Sequence, residues 1–168
     1  MNNPAENPQS GQYVQMETGK SLVPILSEDC RVALTIRVLP DTPPQGEVPY
    51  FLPFDPMDLT ARALKYEIMS AGGSGANAII ERGGIEVVSL AKRPYRVDFS
   101  DGEVFDGPAY SIFDADGNHF LLYAASIVRD LDNVVRVWGF PPYSPPLKMR
   151  LEYRFVGKNR LYKVIVQD

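Results

Sequence analysis

The end of the chain carries the pattern that most constrains its fold. Between residues 147 and 155 apolar side chains alternate with charged ones, with Leu147, Met149, Leu151, Tyr153 and Phe155 set against Lys148, Arg150, Glu152 and Arg154. A period of two is that of a half-buried β-strand. Gly157, Lys158 and Asn159 supply a turn, after which Tyr162, Val164 and Val166 alternate again. The sequence therefore predicts a C-terminal β-hairpin with one apolar and one charged face.

The length and the proline content indicate one β-rich domain. The chain has 168 residues, 15 of them proline and 13 glycine, which suits many short strands joined by tight turns. Residues 1–20 are polar and predict a flexible N-terminal arm, followed by a single domain over residues 21–168. Cys30 is the only cysteine, so neither an intrachain disulfide nor a cysteine metal site is expected.

Strand patterns recur at short intervals through the rest of the chain. We predict strands over 32–38, 78–82, 85–90, 95–99, 109–113, 119–128 and 134–140, with an edge strand or extended segment over 48–54. Residues 55–69 are ambiguous, because Asp55-Pro56 suits a helix start while Leu64, Tyr66 and Ile68 also alternate. The predicted fold is mainly β, an antiparallel β-sandwich or jelly-roll-like barrel, with at most one short helix over residues 57–69.

Two motifs that suggest catalysis do not meet its requirements. The glycine cluster at 72–76 lacks the Gly-Lys-Ser/Thr of a phosphate loop, and Ala76 stands where a nucleophile elbow needs glycine. We interpret it as a flexible loop between strands. His119 is the only histidine, and its place at the start of a strand predicts a partly exposed structural residue.

Carboxylates crowd into residues 98–116, where Asp-Gly and Gly-Asn pairs indicate hairpin turns. The spacing of Asp114, Asp116 and Asn118 resembles the first half of an EF-hand loop, although Ala125 stands at the twelfth position, which should be glutamate. We therefore predict no cofactor and leave open an incidental calcium site at Asp114, Asp116 and Asn118. An acid–base pair among the carboxylates would make the protein a carboxylate-dependent hydrolase.

A stiff aromatic segment runs from Trp138 to Leu147 and contains four prolines. Exposed Trp138, Phe140 and Tyr143 would form a sugar platform or a subunit contact, whereas buried ones would cap the core. The sequence leaves these alternatives open.

Charge is unevenly distributed along the chain. Residues 146–168 hold six basic and two acidic residues, a net charge of +4, so the rest of a chain with net charge −4 carries −8. Lys148, Arg150 and Arg154 are predicted on the outward face of the hairpin. They form either a solvated face or a surface that docks on another copy, a partner protein or anionic lipid.

A polar arm followed by eight to ten short strands with proline-rich loops resembles the layout of viral jelly-roll capsid proteins. The resemblance implies a structural subunit of a virus or phage particle that self-associates and contacts other virion proteins. The arm is not basic as in capsid proteins that bind the genome directly, so we expect no direct contact with nucleic acid, and contact with a membrane surface stays open.

We expect a protein of the virion that is made in the host cytoplasm. The N-terminus lacks the apolar stretch of a signal peptide. The longest apolar run, residues 120–128, is about half the length of a membrane span. The alternative to a structural subunit is a monomeric β-sandwich that binds carbohydrate or peptide, and an enzyme is not expected.

Overall fold

The computed structural model describes residues 13–15, 22–24, 33–39, 48–53, 62–70 and 72–167. These residues form eight strands and three helices: β1 (Tyr13–Gln15), β2 (Leu22–Pro24), β3 (Ala33–Val38), α1 (Arg62–Met69), α2 (Ala76–Glu81), β4 (Ile85–Phe99), β5 (Val104–Asp114), β6 (His119–Leu122), α3 (Ala125–Trp138), β7 (Leu147–Val156) and β8 (Asn159–Gln167).

The central element is β4, a strand of 15 residues with antiparallel neighbours along both edges. On one edge it pairs with β5 from Val87 to Asp98, and the sheet continues from β5 to β6. The other edge is divided, because β7 pairs only with residues 85–87 and β3 with residues 95–99. The β7–β8 hairpin thus joins the sheet at the first three residues of β4.

Both faces of this sheet are covered. One face packs against α2 and α3 in the largest apolar cluster, which includes Leu90, Ile112 and Leu131. On the other face Tyr95 and Val97 form a second cluster, and Ile68 of α1 packs against Ala91 and Phe113. The hydroxyl of Tyr95 donates a hydrogen bond to the backbone oxygen of Ile68 at 3.2 Å, which attaches α1 to this face.

The predicted fold class is confirmed, since the described residues form a mainly β, antiparallel structure that is consistent with a β-sandwich-like fold. The terminal hairpin and the strand over 33–38 lie where the alternation predicts them. A helix also forms within residues 57–69, as α1, although residues 57–61 lie outside the described part. Of the predicted N-terminal arm, Tyr13–Gln15 pairs with Leu22–Pro24, and the remainder lies outside the described residues.

The prediction of at most one short helix was wrong, because α3 replaces the strand predicted over 134–140 and the second half of the one over 119–128. The apolar run from Phe120 to Val128 contains the end of β6 and the start of α3. The five buried apolar residues of α3 recur at intervals of three and four, as Ile127, Val128, Leu131, Val134 and Val135. Adjacent buried valines fit a helix facing one layer, not a strand with alternating faces.

The prediction of a strand over 78–82 was also wrong, because residues 78–81 belong to the helix α2. The glycine cluster therefore links two helices. It also packs closely on β6: Ser74 exchanges backbone hydrogen bonds with His119 and Leu121 at 3.0 and 2.8 Å. Gly73 has a φ of +121°, and a Cβ there would lie 3.0 Å from the Leu121 nitrogen. Glycine is required because β6 leaves no room for a side chain.

Substitution of the three valines near the end of α3 tests this helix. Val134 and Val135 are buried and Val137 is 71% exposed. We expect Val134→Ala and Val135→Ala each to lower the free energy of unfolding by roughly 1–3 kcal/mol, because each removes packed methyl groups. Val137→Ala, the matched control, should change it by less than about 0.5 kcal/mol. Urea denaturation measures all three, and a near-neutral result at either buried position would contradict the helix.

Candidate functional site

The outer half of the β7–β8 hairpin extends beyond the rest of the sheet. Met149 pairs with Ile85, the first residue of β4, while β7 continues to Val156 with β8 as its paired strand. Residues of β7 beyond Met149 therefore do not pair with β4. We call residues 153–161 the hairpin tip.

The hairpin tip exposes large apolar side chains. Tyr153 is 41% exposed, Phe155 64%, Val156 56% and Leu161 38%. The alternation predicts Tyr153 and Phe155 on a buried face, and this holds only for the base of the hairpin, where Met149 and Leu151 are buried. The alternation correctly predicts which face of β7 each side chain occupies. It does not predict burial at the tip, because the strand is longer than the core beneath it. Tyr153 and Phe155 lie on one face of the hairpin and Val156 and Leu161 on the other, so the tip exposes apolar side chains on both sides. Clusters of exposed apolar residues are typical of an interaction surface.

An arginine holds the aromatic side chains of the tip in place. The guanidinium carbon of Arg160 lies 4.4 Å from the ring centroid of Tyr153 and 5.8 Å from that of Phe155. Nη1 of Arg160 also donates a hydrogen bond of 2.7 Å to Oδ1 of Asn77 in α2. These cation–π contacts and the hydrogen bond connect the tip to the body of the protein. Contacts within the chain therefore position the exposed rings.

The helix α3 contacts the outer edge of the hairpin. The backbone nitrogen of Val164 donates to Oδ2 of Asp130 at 3.0 Å. Asp130 thereby accepts a backbone N–H of the edge strand β8 that could otherwise pair with another strand. A cavity of about 460 Å³ lies beside this contact, lined by Arg129, Asp130, Glu152, Tyr153, Arg154, Leu161, Tyr162 and Lys163.

The three predicted hairpin cations are exposed, as the sequence predicts. Arg150 forms an ion pair with Glu152 at 3.1 Å, and Lys148 and Arg154 project from the same face of β7. The hairpin over residues 147–167 contains six basic residues and one acidic residue, a net charge of +5. Since the whole chain carries −4, the remaining residues carry −9. The hairpin is thus a basic projection from an acidic protein.

The predicted aromatic residues divide between surface and core. Trp138 is 39% exposed and Phe140 56%, and the Phe140 ring packs edge-on against Phe51 with centroids 4.9 Å apart. Tyr143 is buried, and its hydroxyl donates to the backbone oxygen of Gly139 at 2.9 Å. Trp138 and Phe140 are available to a partner, whereas Tyr143 fixes the turn that follows α3.

The predicted calcium ligands lie together in the β5–β6 turn. Oδ1 of Asp114 accepts the backbone N–H groups of Asp116 and Asn118 at 3.0 and 2.7 Å, and Oδ2 accepts the Asn118 amide at 2.9 Å. Arg82 lies 3.7 Å from the same carboxylate. Asp114 therefore stabilises the turn itself, and within the described residues no group of three or more His, Cys, Asp or Glu side chains could hold a metal ion. The calcium site stays a prediction.

Two further carboxylates of residues 98–116, Asp98 and Asp106, lie close to basic groups. Asp98 accepts a hydrogen bond of 2.6 Å from the Thr35 hydroxyl, and Arg96 and Arg37 lie 3.5 and 3.7 Å away. The Thr35 hydrogen bond, aided by the two guanidinium groups, lowers the pKa of Asp98. A carboxylate held in its ionised form is unsuited to general acid catalysis.

His119 is buried, where the sequence predicted partial exposure. Its ring stacks on Phe113 with centroids 4.4 Å apart, and Nδ1 lies 3.4 Å from Oε1 of Glu67 in α1. Neither ring nitrogen has a hydrogen-bond partner within the described residues. Burial lowers the pKa of His119 from 6.5 to about 4. The histidine is therefore neutral at pH 7 and packs as an aromatic residue.

A buried polar network was missed by the sequence analysis. Nζ of Lys92, which is 1% exposed, donates to Oδ1 of Asp132 at 2.8 Å and to the backbone oxygen of Val48 at 2.9 Å. The Tyr110 hydroxyl donates to the same Asp132 oxygen at 2.6 Å, and burial together with this contact raises the Tyr110 pKa well above its usual value. The network joins β4, β5 and α3 inside the core and so has a structural role.

One signal could have revealed this network. Asp132 directly follows Leu131 and precedes Val134 on the buried stripe of α3, so a helix assignment would have placed a carboxylate in the core. A carboxylate in that position requires a buried cationic partner. The strand assignment over 134–140 concealed the requirement.

Comparison with known proteins found no match, whether to a protein-family model, to a curated protein or to a solved structure. None of the described helices is long and apolar enough to span a membrane. The candidate site therefore depends on the geometry described above.

Removing one member of the buried network should be costly. We expect Asp132→Ala to lower the free energy of unfolding by about 3–5 kcal/mol, because it leaves the Lys92 ammonium buried without a counter-charge. The double variant Lys92→Met/Asp132→Leu should recover much of this loss, since it removes both charges at similar volume. Urea denaturation of both variants measures the effect. A double variant as unstable as the single one would show that packing, not charge pairing, is decisive.

The buried histidine should make stability depend on pH. The unfolded chain binds a proton on His119 near pH 6.5 and the folded protein only near pH 4, so stability is complete above pH 6.5 and falls as the pH approaches 4. The loss should reach about 3 kcal/mol at pH 4. His119→Phe keeps the ring stack and should show a smaller difference in urea midpoint between pH 7.5 and 4.5. An equal difference in both proteins would contradict this assignment.

Proposed function

We propose that this protein is a structural subunit that assembles with further copies of itself through the tip of its terminal hairpin. The observation that carries the proposal is the exposure of four apolar side chains on a projection beyond the sheet, with Tyr153 and Phe155 on one face of the hairpin and Val156 and Leu161 on the other. Association in water would remove this surface from solvent, which is the main favourable contribution at subunit interfaces.

Charge supports a second copy as the partner. The hairpin carries +5 and the rest of the chain −9, so the hairpin of one copy is attracted to the body of another. The Arg160 contacts reduce the ordering cost of binding, because the tip rings are already held in one arrangement. A capsid-type subunit of a virus or phage particle is the biological setting that the strand layout suggests.

A monomeric binding module is the second candidate. Trp138 and Phe140 are exposed and adjacent at the end of α3, as a stacking platform for a carbohydrate requires. Quenching of Trp138 fluorescence by an oligosaccharide would favour this candidate over assembly.

The assembly proposal is tested by light scattering over a range of protein concentrations. The full chain should exceed its monomer mass of 18.7 kDa, and the excess should decrease at high salt because screening weakens the charge attraction. The variant Phe155→Thr/Val156→Thr retains β-propensity but removes apolar surface, and it should weaken association by roughly tenfold or more.

Val104 provides a matched control, since it is an exposed valine on β5, outside the hairpin. Val104→Thr should leave the association constant unchanged. A full chain that stays monomeric up to concentrations of about 100 μM would contradict the proposal, as a dissociation constant weaker than this indicates only a transient contact.

A further inference from the structure

A second exposed apolar surface lies at the end of α3. Val137 is 71% exposed, Trp138 39% and Phe140 56%, and the Phe140 ring contacts Phe51. We call these four residues the aromatic patch. Tyr66 and Met69 of α1 are also exposed, but the hairpin tip and the aromatic patch each place more large apolar side chains at the surface of the described part of the chain.

The two surfaces are separate on the folded chain. Asp130 of α3 contacts the edge of β8, and Trp138 of the aromatic patch lies eight residues further along the same helix, a rise of roughly 12 Å. Both surfaces are exposed, so the tip of a copy does not cover its own patch.

Charge distinguishes the two surfaces. Two hairpins of net charge +5 repel each other, which disfavours a symmetric contact between hairpin tips. The chain outside the hairpin carries −9, so the aromatic patch belongs to the part of the protein whose net charge is complementary to that of the hairpin.

We propose that the hairpin tip of one copy docks on the aromatic patch of the next copy, in a head-to-tail contact. This inference rests on the proposed assembly function and specifies its partner surface. Because the two surfaces differ, every copy offers one free tip and one free patch. Repetition of the contact produces a closed ring or an open chain, depending on the rotation between copies.

Two variants with opposite defects test the arrangement. The tip variant is Phe155→Thr/Val156→Thr, and the patch variant is Val137→Lys/Phe140→Ser, in which lysine favours a helix but repels the basic hairpin. Circular dichroism and thermal melting establish that both variants fold. Each variant alone should associate roughly tenfold or more weakly than the wild type, and so be largely monomeric near the wild-type dissociation constant, because each lacks one of the two required surfaces.

The equimolar mixture gives the decisive result. The intact tip of the patch variant fits the intact patch of the tip variant, so the mixture should form a heterodimer of about 37 kDa, twice the monomer mass, and nothing larger. Analytical ultracentrifugation distinguishes this species from monomers and from longer assemblies.

Three outcomes would overturn the arrangement, and they separate it from the proposed function. A patch variant that still assembles like the wild type would show that the tip uses another surface, and assembly itself would stand. Two monomeric variants whose mixture stays monomeric would also exclude the head-to-tail contact. A wild-type protein that is monomeric would overturn both the contact and the assembly proposal.

Discussion

The position at which β4 begins determines how the rest of the protein is arranged. Gly83 and Gly84 precede it with φ angles of +74° and +133°, and a Cβ on Gly84 would lie 3.0 Å from the Met149 oxygen. The glycines turn the chain from α2 into β4 while β7 passes close to the same backbone. Because β4 starts there, β7 has β4 as a neighbour only as far as Met149, and the rest of the hairpin projects. The candidate site is a direct consequence of this difference in strand length.

The core around β4 depends on a charge pair as well as on apolar packing. Nζ of Lys92 on β4 and the Tyr110 hydroxyl on β5 both donate to Oδ1 of Asp132, which joins α3 to the sheet. The position of α3 in turn sets two features of the surface. Asp130 at one end contacts the edge of β8, and Trp138 at the other end belongs to the aromatic patch.

The proposed assembly joins these features in one physical argument. A hairpin that is longer than the core beneath it exposes apolar side chains, and a body of opposite charge attracts it. Asp114 stabilises the β5–β6 turn and Asp98 forms ion pairs with two arginines. The surfaces proposed for assembly lie elsewhere, on the hairpin and at the end of α3.

The sequence predicted the elements whose pattern is local and strong. The alternation over residues 147–166 is a period-two signal that only a strand satisfies, so the terminal hairpin was predictable from neighbouring residues alone. The cations Lys148, Arg150 and Arg154 were placed on the outer face by the same reasoning. The apolar run from Phe120 to Val128 led to the wrong prediction of one long strand. The end of β6 and the start of α3 are both apolar, because both pack into the same core.

The local pattern of the sequence determined which residues form strands and which side of each strand a residue occupies, since both follow from backbone geometry over a few residues. Burial was decided by the tertiary structure. Tyr153 and Leu151 lie on the same face of β7, yet one is exposed and the other buried, because β4 pairs with β7 only as far as Met149 at the base of the hairpin. The Lys92–Asp132 pair likewise joins residues 40 positions apart, a contact that exists only once the helix lies on the sheet.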